Sequence, residues 1–300
     1  MPEAAPQPLF ILCPSRSFSS VICGMLGQHP QCYALPELNL FLADDLGGLM
    51  RWSMIGPFLR EGLLRTLAQL HEAEQNEDSI ARAREWIAER THWSVRQVFD
   101  YIQERVGPRM LIEKSPTTTL RHDYLRRLLR TFPQAKILHL VRHPRSTAES
   151  ILNFRAAFDG LQRITQGRPE SDPERMWRVC HESIIAVTNG LPLGQCMLLK
   201  GEAFLGELDV YLPQVCEWLG LDTDAPAVEA MMHPEHSPYA KLGPPSAQYG
   251  NDPNFLSDPR IDRERLRKIR EPSLVGELSW RPGETFDPRT RRLAKQFGYQ

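Results

Sequence analysis

The chain predicts an α/β protein with a parallel sheet flanked by helices. Short apolar runs alternate with amphipathic helical patterns, as in a parallel sheet covered on both faces. The first run ends in a hydroxyl-rich turn that opens directly into a helical pattern. A later run ends on an arginine and again opens into a helical pattern. Two strand–turn–helix units of this kind make the sheet P-loop-like, because backbone N–H groups and the helix dipole converge on an anion at such turns.

The first unit starts with the buried strand Leu9–Cys13, broken at Pro14. Four hydroxyls and one cation follow, at Ser15, Arg16, Ser17, Ser19 and Ser20, before a helical pattern from Val21 to Leu26. The Walker pattern G-x-x-x-x-G-K-[ST] is absent, so the turn suits a phosphate but not Mg-ATP. A short apolar strand then leads to Glu37, which returns the chain toward the cradle. Region 44–91 reads as a helical insertion capping the substrate side. Its helical pattern Ser79–Ile87 is followed by another at Val95–Ile102.

Met110–Glu113 is the next buried strand, with Lys114 just past its end and therefore facing the crevice. If Lys114 is only structural, Glu113 or Asp123 is its natural partner. A helix over Leu120–Leu129 leads to strand Lys136–Val141. Arg142 sits on that strand's tip, Pro144 suits the first turn of a helix, and Ser150 lies eight residues after Arg142. Arg142 and Ser150 then grip one phosphate from two sides, unless the segment is an ordinary turn with a surface arginine. A helix over Trp177–Val187 precedes the last buried strand, Cys196–Lys200. Segment 233–259 is rich in Pro, Gly, Ser and Asn and reads as a long active-site loop. Helices near Asp262–Arg270 and Thr290–Phe297 close the pattern.

With 300 residues, one large domain over 1–300 is expected. The formal net charge of −1 provides no global field for nucleic acid or a membrane surface. Met1 to Pro8 has neither a basic nor an apolar secretory region, and no apolar run approaches the ~20 residues of a membrane span. The six cysteines form no C-x-x-C pair and read as free thiols. A cytoplasmic location follows as an expectation. His29, His92, His122, His139, His143 and His181 are scattered, and no metal cluster is expected.

Ser15-Arg16-Ser17-Phe18-Ser19-Ser20 and the pair Arg142/Ser150 resemble the two donor-binding segments of the sulfotransferase family. The resemblance extends through Leu111–Pro116, Phe132-Pro133 and Lys200–Gly220. It implies the sulfotransferase fold and 3′-phosphoadenylyl sulfate (PAPS) as donor, leaving as PAP, without a metal. On the family pattern, Ser15–Ser20 bind the 5′-phosphosulfate, with Arg16 at the bridging oxygen, and Arg142 and Ser150 bind the 3′-phosphate. Glu37 matches the catalytic glutamate of the tyrosylprotein sulfotransferases, and Lys114 the lysine that stabilises the transferring group there. Otherwise Glu37 is a carboxylate complementing a helix N-terminus.

Two departures matter. Ser15 replaces the family's proline, and Phe18 replaces a glycine that lets the backbone approach a phosphate. The cytosolic members' histidine base has no counterpart. Lys241, Tyr249 and Arg260 are candidate nucleotide contacts and His236 a second candidate base. Tyr249–Leu256, Ile261-Asp262 and Lys268 resemble the polyketide-associated members, although Ile269 stands where those have tryptophan. That likeness implies a β-hydroxyacyl chain on an acyl carrier protein as acceptor. A small alcohol or phenol is the other acceptor class. The arginine-rich helix Arg121–Arg130 would meet an acidic carrier protein, or is an ordinary solvated face. A P-loop small-molecule kinase and a non-catalytic nucleotide-binding module remain as competing readings.

Overall fold

The computed structural model describes residues 6–51, 56–157 and 171–300. Residues 1–5 of the N-terminal stretch and 52–55 of the helical insertion therefore lie outside the described residues. Five strands form one parallel sheet: β1 (Leu9–Leu12), β2 (Cys32–Ala34), β3 (Met110–Glu113), β4 (Lys136–Val141) and β5 (Cys196–Lys200), in the order β2-β3-β1-β4-β5. Both neighbours of β1 run parallel to it, with Phe10 level with Glu113 of β3 and with Ile137 of β4.

Side-chain alternation along β1 divides the core. Phe10 and Leu12 join a cluster on one face, whereas Leu9, Ile11 and Cys13 join a second cluster on the other. This is the period-2 consequence of an extended strand buried on both sides. β5 departs from the expectation of a buried strand: it is an edge, and Leu198 is 49% exposed.

Among the described residues, the helices before β5 are α1 (Ser19–Leu26), α2 (Leu46–Met50), α3 (Gly56–Glu72), α4 (Glu77–Ala88), α5 (Val95–Val106), α6 (His122–Thr131), α7 (Pro144–Ala156) and α8 (Pro173–Thr188). Capping explains where the helices begin. Asn76 with Ser79 and Ser94 with Gln97 form reciprocal capping boxes for α4 and α5. α8 starts earlier than its apolar pattern implies, because Asp172 caps it and Pro173 fits its first turn. The expected helix 262–270 shortens to Arg263–Leu266. Leu63, Leu64, Leu67, Ile80 and Ala83 of α3 and α4 share the core cluster that holds Phe10. The insertion thus packs on the sheet rather than around a core of its own.

No helix among the described residues is long and apolar enough to cross a membrane. The six cysteines are free. Burial pushes the Cys13 and Cys23 thiols up to about 12, which keeps them protonated.

Because β3 connects to β4 across β1, the chain reverses its direction of sheet growth beside β1. In open parallel sheets a crevice forms outside the carboxyl ends of the strands at that point. The turn after β1, Lys114 after β3 and Arg142 after β4 all emerge there.

Candidate active site

The turn after β1 is held in an uncommon backbone conformation. Arg16 and Phe18 are both left-handed, with φ of 66° and 65°, at a cost of about 1 kcal/mol each. Phe18 is the N-cap of α1 and makes no side-chain cap bond. Its ring turns aside: it lies 4.1 Å beneath the Arg142 guanidinium. It also packs on Gly201, where a Cβ would come within 2.8 Å of Phe18 Cδ2. The position that departs from the family glycine is thus accommodated by a second glycine, just after β5.

Arg16, Arg142 and Ser150 meet. Arg16 Nε donates to Ser150 Oγ at 3.1 Å, and Arg142 Nη1 donates to the Arg16 carbonyl at 2.6 Å. The main chain beneath Arg142 is fixed from both sides. Trp177 Nε1 donates to the Arg142 carbonyl at 2.8 Å, and the His143 N–H donates to Glu202 Oε1 at 2.8 Å. Burial holds the His143 imidazole down to about 4. Three polar atoms here are buried and lack a protein partner: Ser17 Oγ, Arg142 Nε and His143 Nε2. A cavity of about 670 Å3 opens over the group, lined by Arg16, Phe18, Ser20, Arg142 and Ser150 on one side and by Asp252, Arg260 and Arg265 on the other.

Glu37 and Lys114 form the second group. Lys114 Nζ lies 2.5 Å from Glu37 Oε1, with the lysine side chain fully buried and the glutamate 27% exposed. Neither Glu113 nor Asp123 is the partner of Lys114. Glu37 does not start a helix either; the next helical turn is Leu40–Leu42, with Asn39 at its N-cap position and no side-chain cap bond. The main chain around Glu37 is bound at every step. Its N–H donates to the Gly250 carbonyl at 2.7 Å. Leu38 N–H donates to Glu113 Oε1 at 3.3 Å, and Asn39 N–H to Ser115 Oγ at 2.9 Å. The Ser115 hydroxyl donates in turn to Glu113. Asn39, left-handed at φ 54°, donates through Nδ2 to the Glu37 carbonyl at 3.2 Å. A Cβ on Gly62 of α3 would stand 2.1 Å from that carbonyl, so only glycine lets α3 approach. Burial pushes Glu113 up to about 7, against the pull of its bonds from Ser115 and Leu38.

Segment 233–259 is an ordered strap. It contains the helical turns Pro234–His236 and Pro245–Ala247 and the helix Pro253–Ser257. Arg65 of α3, fully buried, ties it down by donating to the Tyr249 carbonyl at 2.5 Å and the Lys241 carbonyl at 2.7 Å. At its far end Asp252 pairs with Arg16 at 2.5 Å, and the Asp252 N–H donates to Ser20 Oγ at 3.2 Å. Residues 250–252 thus touch both groups.

Of the candidates in and just after the strap, Arg260 lines the cavity, whereas Lys241, Tyr249 and His236 do not. Ser15, Ser17 and Ser19 belong to the turn but do not line the cavity, and Glu37 and Lys114 stand beside it rather than in its wall. In α6, Arg127 is bound to Asp44 at 2.6 Å, so part of the arginine-rich face is tied to the insertion. Asp252, Arg65, Asn39, Ser115 and Gly201 were missed from the sequence. Only Arg65 carried a local signal, as a charge inside the apolar run Leu63-Leu64-Arg65-Thr66-Leu67.

A parallel α/β sheet with paired cationic turns at its switch point is an arrangement suited to an anion. Residues 8–225 match the sulfotransferase family, and the chain belongs to that family. It resembles the omega-hydroxy-beta-dihydromenaquinone-9 sulfotransferase Stf3 of Mycobacterium bovis, with 29% identity over 43% of this chain and 38% of the relative. The matched stretch thus spans well under half of that protein. Among solved structures, the sulfotransferase domain of the Synechococcus olefin synthase aligns with a TM-score of 0.73 and 27% identity, over 100% of this chain and 98% of that one. The sulfotransferase domain from the curacin biosynthetic pathway aligns with a TM-score of 0.78, over 99% of each chain and at 24% identity, which speaks to fold alone.

Proposed function

We propose that the chain is a sulfotransferase that moves a sulfuryl group from PAPS to a hydroxyl acceptor, with Glu37 as general base. The carrying observation is the convergence of Arg16, Arg142 and Ser150 from three elements on one cavity, with Glu37 held against Lys114 beside it. The residues suit a donor with two anionic ends. Ser17 Oγ and Arg142 Nε are spare donors, and among the described residues the cation Arg16 is ion-paired only with the Asp252 carboxylate.

Arg16, with Ser17, Ser19, Ser20 and the amides at the start of α1, would hold the 5′-phosphosulfate end. Arg142 and Ser150 would hold the 3′-phosphate, with Phe18 as the platform of Arg142. When bound, PAPS supplies the sulfuryl group and a phosphate leaving group. Asp252 must give way on Arg16 as a phosphate oxygen arrives, since one guanidinium edge cannot serve both. Glu37 then takes the acceptor's hydroxyl proton onto a carboxylate oxygen. Lys114 keeps that carboxylate oriented and places positive charge beside the acceptor oxygen. The clamp on residues 37–39 fixes the distance over which the proton moves.

The acceptor classes are a β-hydroxyacyl chain on an acyl carrier protein and a small alcohol or phenol. The full-length likeness to the olefin synthase domain supports the first. The test is incubation of the chain with sulfur-labelled PAPS and each acceptor class in turn. A labelled sulfate ester on either supports the proposal. Tight PAP binding without transfer to any hydroxyl acceptor would leave a nucleotide-binding module instead.

A further inference from the structure

The strap begins with a cluster that sulfuryl transfer does not use. His233, Glu235 and His236 each offer a ligand atom, all within 4.8 Å of one another. His233 Nδ1 lies 2.9 Å from Glu235 Oε1, and its Nε2 lies 3.7 Å from Glu229 Oε1 one helical turn earlier. The two imidazoles are stacked, with centroids 5.1 Å apart and planes 15° from parallel. Glu235 Oε2 is buried and has no hydrogen-bond partner. Pro234 presets the turn, which the His236 N–H closes onto the His233 carbonyl at 3.0 Å. None of the three side chains lines the cavity.

We propose that His233, Glu235 and His236 form a binding site for a divalent transition-metal ion of the zinc class. Two imidazoles and one carboxylate are the donor set that such ions take over magnesium or calcium, which prefer all-oxygen shells. Water completes the shell, since Glu229 lies on the other side of the His233 ring, toward Nε2. Bonds of about 2.1 Å to each ligand require the 4.8 Å envelope to contract, which rotation of the partly exposed side chains allows. The ion's role is structural. Pro234 packs against Gly24 of α1, where an added Cβ would come within 3.2 Å, so an ion here stiffens the turn that rests on the helix carrying Ser19 and Ser20. The unpartnered carboxylate oxygen gains a ligand bond, and a loop end is fixed without a disulfide.

Calorimetric titration of the tag-free full chain with zinc chloride tests this, since tag histidines would bind the ion themselves. One saturable equivalent is expected in the micromolar range, with a rise in the thermal unfolding midpoint. Single His233→Ala and His236→Ala variants should each weaken binding at least about tenfold, a loss that even outer-shell partners cause, and the double variant should abolish it. Far-ultraviolet circular dichroism and a cooperative thermal transition in the same variants report that they fold. Should the variants fail to fold, Co2+ bound to the unaltered chain gives the second reading: the strong visible bands of a four- or five-coordinate ion support the site. A weak octahedral spectrum, no saturable equivalent, or equal binding in the double variant overturns it. None of these readouts depends on sulfuryl transfer, so the metal site and the proposed activity stand or fall separately.

Discussion

Around Arg16 and Arg142 the protein leaves polar atoms unused, whereas around Glu37 it uses nearly all of them. The first region has three unpartnered buried donors, at Ser17, Arg142 and His143, and a cavity of about 670 Å3. In the second, successive backbone N–H groups of residues 37–39 are bound, and the carboxylate lies 2.5 Å from a buried ammonium. A region that must receive a charged ligand needs spare donors. A region that must move a proton needs fixed distances, and spare groups there would only admit competing geometries. The contrast separates donor binding from chemistry, and variants should separate them in the same way.

The largest effect should come from Glu37→Gln. Turnover is expected to fall by about 100- to 10,000-fold, the usual worth of a positioned base, while calorimetry shows PAP binding unchanged. Equal turnover in that variant would remove Glu37 from the chemistry. Arg142→Ala should do the reverse. Losing charge-assisted bonds is expected to weaken PAP binding by about 10- to 100-fold, with little change in turnover once the donor is saturating. Arg142→Lys should recover only part of the affinity. An ammonium cannot both lie flat on Phe18 and reach the Arg16 carbonyl.

The two regions should also respond oppositely to pH. Burial holds His143, next to Arg142, down to about 4 from 6.5. Its contribution to stability is full above about 6.5 and is lost as pH falls toward 4. Glu113, behind Glu37, is raised from 4.5 to about 7. Its contribution is full below about 4.5 and is lost as pH rises through 7. Urea unfolding across this range should therefore show stability falling on both sides. Glu113→Gln should flatten the alkaline limb and spare the acid one. His143→Asn should soften the acid limb only in part, because buried His139, held down to about 3, has the same sign. An alkaline limb unchanged in Glu113→Gln would show that Glu113 does not set it.

How much was legible in the sequence follows the same division. Strand ends, the hydroxyl-rich turn and the spacing of Arg142 and Ser150 are local patterns, and in the structure Arg16 links the two through its hydrogen bonds to Ser150 and Arg142. The Glu37–Lys114 contact spans 77 positions and rested on resemblance, since nothing near Lys114 in the chain names its partner. Asn39 and Ser115 were invisible because they act through main-chain carbonyls and N–H groups, which any sequence supplies; Arg65 stood out as a charge in an apolar run, but the strap carbonyls it binds did not. Gly201 could be read only once the direction of the Phe18 ring was known.

The smallest expected effect tests whether Phe18 impairs the cradle or belongs to it. Phe18→Gly relieves a left-handed phenylalanine, worth about 1 kcal/mol. It also removes the ring beneath Arg142, a cation–π contact worth about 0.5–1 kcal/mol at a partly exposed site. The two terms nearly cancel, so the unfolding midpoint should barely move. PAP affinity should fall only a few-fold as Arg142 loses its platform, with turnover at saturating donor unchanged. Gly201→Ala should reproduce that loss from the other side, since its methyl would sit 2.8 Å from Phe18 Cδ2. In the Phe18→Gly/Gly201→Ala double variant the second change should add nothing, because the ring it displaces is gone. Additive losses would mean that Gly201 acts on the backbone after β5 instead. A rise in turnover of several orders of magnitude in Phe18→Gly would mean that the phenylalanine blocks transfer, and the chain as it stands would be a nucleotide-binding module.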